Sequence, residues 1–300
     1  MTRKTRNWLI TLLILSSPFL FFLGLLLFWN AEPLPPVAPL PNPNGYDALA
    51  KAGKAITTDV GDYVEMNEAQ LRELVTKNAA ALQLLRSGLT NQCRVPLQFS
   101  DAYMANHLDE LAGFKRLAQF LGAEGRLAAM EGRPTDAAEF YLDAIHLGTE
   151  AARGGVVIDQ LVGTAIEAIG VAGLQQLVKQ LDAESCRDTA RTLETLDAQS
   201  QSWDAVMQQE RGWSRRAYPG MRYELVRIVS RKSLNKAVQK GEERFNKQRM
   251  KLRQLMIAFA ARAYELDNGK PPATVSDLVP DYLKTVPQDP VTGTNMVLQP

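Results

Sequence analysis

The sequence predicts a mainly α-helical protein held in a membrane by one N-terminal helix, and three observations carry that expectation. An uncharged run, WLITLLILSSPFLFFLGLLLFW, fills Trp8 to Trp29. Beyond a proline-rich stretch, apolar residues recur at helical spacing. No convincing alternating strand occurs before residue 270. The expected layout is a cytoplasmic tail over 1–7, a transmembrane anchor over 8–29 and a stalk over 30–44. An α-helical domain over 45–248 follows, then a small α/β tail over 249–300.

The twenty residues between Trp8 and Trp29 would span about 30 Å as a helix, the thickness of a bilayer's hydrocarbon core. Arg3, Lys4 and Arg6 precede the run, whereas only Glu32 is charged in the fifteen residues after it. The basic side is therefore expected in the cytoplasm, with residues 30–300 periplasmic or extracellular. A cleaved signal peptide would have a shorter apolar core and a small-residue cleavage site. Residues 31–44 contain six prolines, a composition that favours an extended polyproline stalk over a packed element.

In the body, Asn67 and Gln70 form a capping-box pattern. Leu71, Leu74, Val75, Leu82 and Leu85 then make one stripe, predicting a single helix that Gly88 stops. A second helix is expected after Ser100 and a third after Thr135. Gly154-Gly155 breaks the chain before Val156–Leu181, which is apolar nearly all round. Asp159, Glu167, Gln175, Gln176 and Lys179 interrupt that segment, so it is expected to be a central core helix and no second membrane span. Ser185 with Asp188 is expected to cap the next helix, running to about Arg211.

Within residues 114–148, Gly125, Gly132, Ala137, Tyr141 and Ala144 fall at the spacing of small and aromatic positions in a helical hairpin. Small residues let two helices approach, Gly132 turns the chain beside Pro134, and Tyr141 fills the gap. This segment resembles one tetratricopeptide repeat, without a second copy to stack against.

Between Arg211 and Arg253 stand fourteen Lys or Arg and three acids, although the whole chain carries a net charge of only +1. Arg215, Arg216, Arg231, Lys232, Arg244 and Lys247 are candidate contacts to an anionic partner: lipid headgroups, a wall polymer or the acidic half of the same chain. The predicted topology argues against nucleic acid. In the tail, Tyr264 to Gly269, Pro272, a short helix to Leu283, Pro287-Gln288-Asp289-Pro290 and Gly293 follow in order. Asn268-Gly269 supplies a left-handed helix stop, and Thr274 with Asp277 can cap the short helix. This arrangement resembles the globular part of type II secretion major pseudopilins. The N-terminus departs from that family: Gly24 precedes Leu25-Leu26-Leu27 without the glutamate of a pilin processing site, so no processed subunit is expected. The resemblance also implies a final strand over Asn295–Gln299, and a calcium site is not expected.

The chemical inventory is thin. Cys93 and Cys186, exoplasmic on this topology, are a candidate disulfide closing a long loop, with two buried free thiols as the alternative. His107, with Asp109 and Glu110 nearby, and His146 are expected at the surface or at helix caps. No zinc-ligand spacing, G-x-S-x-G, P-loop or dinucleotide motif occurs, and neither metal nor cofactor is expected. Glu124, Glu131 and Glu167 could serve as a lone acid. The expected function is non-catalytic: a membrane-anchored binding or scaffolding protein of the bacterial cell envelope, linked to secretion or pilus-type machinery. The alternative is a wall-polymer hydrolase with a Glu acid.

Overall fold

The structure is a computed structural model that describes residues 17, 18, 21, 34, 36–100, 103–218 and 221–298, and of 221–234 the backbone alone. Most of the expected anchor over 8–29 lies outside the described residues, as do 30–33 and 35 of the stalk; its described part, 34 and 36–44, is neither helix nor strand. The chain divides into two units between Val37 and Ala38, and the account that follows concerns the second. It is helical, with no strand among the described residues and one isolated antiparallel bridge, Gln288 to Asn295.

Helix α1 (Gly45–Lys54) begins where Asn44 accepts a hydrogen bond from the Tyr46 amide. The same side chain accepts from the Arg94 amide and donates to the Arg94 carbonyl, at 2.9 and 2.8 Å. The Asn67–Gln70 capping box opens α2 (Glu68–Lys77) as expected. The single helix predicted to run to Gly88 is instead two, because α3 (Ala79–Leu89) starts anew after Asn78. Asn78 is 1% exposed. Its side chain takes the Thr57 amide at 3.0 Å and gives to Thr58 Oγ1 at 2.7 Å. These bonds hold its backbone out of helical geometry and offset the lost helix bond.

Helix α4 (Tyr103–Met130) and α5 (Pro134–Ala152) form the expected hairpin, turned by Gly132 at φ +72° and started by Pro134 in the first helical turn. Tyr141 lies against Gly125, where an added Cβ would meet its ring at 2.6 Å. Helix α6 (Val157–Gln175) is long and apolar enough to cross a membrane, and 50% of its most apolar window is buried in the protein. It packs as a core helix. Its contact with α5 runs through Gly148 and Gly163, each placed so that a Cβ on one would strike the carbonyl oxygen of the other, at 2.6 and 2.5 Å. Only glycine allows helices this close.

Helix α7 (Ala183–Gln199) is capped by Asp182, which accepts from the Ser185 amide at 2.8 Å, not by Ser185 and Asp188. It ends at Ser200, and α8 (Trp203–Ala217) restarts on a Ser202 cap, so the helix expected to reach Arg211 is broken in two. Helix α9 (Met221–Asn268) has 48 residues and passes without interruption through the expected domain boundary at 248/249. Gly269, at φ +66°, stops it as predicted. A 3-10 turn follows at Val275–Leu278, where the Asp277 carboxylate accepts from the Ala273 and Thr274 amides, both at 2.8 Å. The expected α/β tail with a strand from Asn295 is not formed among the described residues. The Met296 amide bonds the Pro287 carbonyl, and pairing stops at the single bridge.

Two apolar clusters share the α5–α6 hairpin. One gathers Leu49, Leu71, Leu82, Leu85, Phe114, Phe120 and Leu147. The other gathers Tyr141, Leu174, Leu193, Leu252, Phe259, Leu278 and Leu283. The second joins the tail to the helical body, so the described residues from 249 to 298 complete that core.

A candidate binding cleft over a buried histidine

Helices α1 and α4 cross at Gly53 and Gly113, whose backbones come so close that a Cβ on either would sit 3.2–3.3 Å from the other Cα. With no side chains at the crossing, a cleft of about 470 Å³ opens above it. Lys54, Pro96, Tyr103, Asn106, Asp109 and Arg116 are among the residues that line it, together with His107 and Glu110.

His107 was expected near the surface. The structure corrects this: it is 1% exposed, and its ring is clamped on both edges. Nε2 lies 2.5 Å from Asp159 Oδ1. Nδ1 faces the Tyr46 hydroxyl at 3.4 Å and Glu110 Oε2 at 3.7 Å, and Tyr46 in turn donates to Glu110 at 3.2 Å. Tyr103 stacks on the imidazole, with ring centres 4.8 Å apart. Burial works against the charged ring, but the bonds to Asp159 and Glu110 outweigh it and push the histidine up to about 9. His107 is thus an imidazolium at neutral pH. Hydrogen bonding to it, and then to Tyr46, holds Glu110 below the usual carboxylate range against the opposing effect of burial. Burial and the neighbouring carboxylates raise both tyrosines, so their hydroxyls stay protonated.

Asp159 has a second task. Its Oδ2 accepts from the Val156 amide at 2.7 Å, and Glu210 accepts from the Val157 amide at 3.0 Å. A valine cannot cap a helix, so these two carboxylates satisfy amides at the start of α6 that lack intrahelical partners, and meet the positive end of its dipole. One aspartate therefore ties His107 of α4 to the first turn of α6.

The other residues singled out by sequence lie apart. Cys93 and Cys186 are free, not bridged. Each is buried in a different apolar cluster, which is why no disulfide forms. Burial pushes Cys93 up to about 12 and Cys186 up to about 11. Glu131 pairs with Arg72 and Arg133. Glu124 and Asp143 share Arg86, at 2.6 and 3.5 Å, and burial raises both carboxyls despite that cation. Glu167 is sealed in α6 beside the Thr149 hydroxyl, and burial lifts it to about 7. His146 is half-buried, and burial lowers it.

The basic stretch divides. Arg249 and Arg253 turn inward onto Asp197, at 2.9 and 3.0 Å, so part of its charge is met by the acidic portion of the chain. Arg216 lies over the Phe99 ring and donates to the Gly212 carbonyl, and Arg215 is a half-exposed neighbour on α8. Arg244 and Lys247 are exposed on α9. The side chains of Arg231 and Lys232 lie outside the described residues. Among the described residues, no three His, Cys, Asp or Glu side chains are gathered to hold a metal ion.

Tyr46, Tyr103 and Asp159 are the site residues that the sequence reading did not bring to His107. The one available signal was an aspartate in the first turn of an otherwise apolar helix, since a buried charge needs a partner. Comparison with protein-family models, curated proteins and solved structures finds no match for this chain.

Proposed function

We propose that the chain is a membrane-anchored, non-catalytic binding protein of the bacterial cell envelope. On this reading residues 8–29 hold it in the bilayer, the proline-rich stalk lifts it, and the cleft between α1 and α4 receives a partner. The observation that carries the proposal is the division of labour in that cleft. The groups beneath it are committed to the fold: both His107 nitrogens face fixed partners, and Asp159 is used on both oxygens. The rim residues Asn106, Asp109 and Arg116 are exposed, and among the described residues none of them makes a salt bridge. A rigid floor under uncommitted polar groups suits recognition, because little ordering entropy remains to be lost on binding. The likeness of α4–α5 to a tetratricopeptide hairpin supports a protein partner, proposed to belong to secretion or pilus-type machinery. Arg244 and Lys247 are proposed to meet anionic lipid or wall polymer.

A photoreactive residue in place of Asn106, in the full chain in intact membranes, tests the reading. It should capture an envelope protein that the same group at exposed Glu73 does not. Identical capture from both positions, or none from either, would defeat it.

The alternative of a wall-polymer hydrolase is favoured by one observation, the raised Glu124 and Asp143 carboxyls around Arg86. Two carboxyls brought together around one cation offer the acid and partner carboxylate that glycoside hydrolysis uses. Turnover of purified wall polymer that Glu124→Gln abolishes would establish it.

A further inference from the structure

The charges in the cleft are ordered along one face of α4. Asn106, Asp109, Glu110, Gly113 and Arg116 follow at helical spacing, all lining the cleft. Two carboxylates therefore stand at one end and a guanidinium two turns on. At 1.5 Å per residue, the seven residues from Asp109 to Arg116 advance about 10 Å. Between them Gly113 meets Gly53 of α1, leaving a floor without side chains.

The acidic end retains free accepting capacity. Glu110 uses Oε2 for Tyr46 and His107, and among the described residues Oε1 accepts no hydrogen bond. Asp109 is exposed and makes no salt bridge there. Lys54, exposed on α1 beside Gly53, acts on Glu110 and offsets part of this charge. The buried pair below, His107 with Asp159, is internally neutralised. At the far end Arg116 presents five donors in a fork that fits a carboxylate bidentately. Tyr103, 7% exposed, also lines the cleft, and among the described residues its hydroxyl has no hydrogen-bond partner.

We propose that this cleft binds a short peptide with both termini free, its ammonium group between Asp109 and Glu110 and its carboxylate on Arg116. An extended chain covers about 3.3–3.6 Å per residue, so three residues match the roughly 10 Å that the α4 backbone advances from Asp109 to Arg116. A single amino acid is too short to reach both. A longer chain would carry one terminus past its partner. Backbone passing over the Gly53–Gly113 floor meets no side chain, so selection falls on length and end charges rather than on residue type. This inference names the ligand class of the cleft and rests on the binding reading above.

The test uses the full chain in nanodiscs, with trialanine, N-acetyl-trialanine and trialanine amide titrated by calorimetry. Trialanine should bind, and each blocked analogue should bind about tenfold more weakly, the effect of losing one charge-assisted contact. In Arg116→Gln the difference between trialanine and its amide should vanish. In Asp109→Asn the difference between trialanine and the acetylated form should shrink. Both side chains are exposed, so both variants should keep the wild-type melting temperature. Absence of trialanine binding, equal binding of all three, or differences that persist in the variants would overturn the proposal. Equal binding of the acetylated form alone would point instead to the C-terminal end of a protein, and would also overturn it. Capture from position 106 without trialanine binding would sink the peptide inference and leave the binding reading standing; failure of both measurements would overturn both.

Discussion

His107 Nε2 and Asp159 Oδ1 stand 2.5 Å apart, both side chains fully buried, and join α4 to α6 through residues 52 apart in sequence. A buried ion pair is weak evidence of net stabilisation, yet removal of one partner leaves a buried charge uncompensated. His107→Ala should therefore cost about 3–5 kcal/mol in denaturant unfolding. The double variant with Asp159→Asn should cost less than the two single changes combined.

The same pair sets a pH dependence. His107 rises from an unfolded value near 6.5 to about 9. Its contribution is fully present below about 6.5 and is lost as pH climbs through 9, amounting to about 3 kcal/mol. Unfolding free energy measured from pH 6 to 10 should fall over that interval. In His107→Ala that fall should disappear. A wild-type profile flat between 7 and 9 would contradict the buried imidazolium.

Glu167 acts in the same direction at lower pH. Its folded value of about 7 lies above the ordinary carboxyl value, so the folded state holds a proton that the unfolded state has released. Stability should decline as pH rises from about 4.5 to 7, by about 3 kcal/mol. Arg249 and Asp197 act on this group from α9 and α7, with opposite signs. Glu167→Gln keeps the shape and a polar contact to Thr149 but removes the titration. It should flatten that limb of the profile and leave the limb due to His107 intact.

Cys93 and Cys186 should behave as inert thiols. A thiolate is the reactive form, and burial holds both groups far above neutral pH. An aromatic disulfide reagent should label neither in the native protein and both in denaturant. Reductant should leave the melting temperature unchanged, whereas loss of a bridge closing a 93-residue loop would cost about 4 kcal/mol.

Local signals were legible because each needs only three or four residues. Asn67 with Gln70, Gly132 before Pro134, Gly269 and Thr274 with Asp277 all sit where the sequence places them. What escaped depends on distant partners. The break at Asn78 follows from bonds to Thr57 and Thr58, and the His107 clamp from Tyr46 and Asp159. Periodicity on one strip of helix carries no information about either. Asp159 was visible as a charge in an apolar helix, but its partner on α4 was not.

The exposed part of the basic stretch separates from its buried part by mutation. Arg244→Glu with Lys247→Glu changes two exposed side chains, so stability should move by no more than about 0.5 kcal/mol. Association with anionic vesicles should weaken, and more so at low salt, where surface charges are least screened. Arg249→Glu should instead destabilise the fold, because it places a carboxylate at a buried position against half-buried Asp197. If the exposed pair had no effect on vesicle binding, the basic-surface role would fall.

A chain ending at Gln248 should not fold. The cut lies inside α9 and removes Leu252, Leu255, Met256, Phe259, Ala260 and Ala263, all buried, together with Val275, Leu278, Tyr282 and Leu283. These side chains cover α7 and the α5–α6 hairpin, and each large buried apolar group contributes about 1.5–3 kcal/mol by burial. Their combined loss exceeds the 5–15 kcal/mol by which domains of this kind are stable. Cutting after Gly269 is milder: α9 stays whole, and the cluster is opened where Val275, Leu278, Tyr282 and Leu283 sat. That shorter deletion also loses the two Glu194 bonds to the Lys284 and Thr285 amides and the Tyr282 bond to Asp267. Circular dichroism and limited proteolysis should therefore rank full length above the 269 truncation and find the 248 truncation unfolded. A folded protein ending at Gln248 would mean that the tail is a separate module after all, contrary to the continuous helix and the shared core.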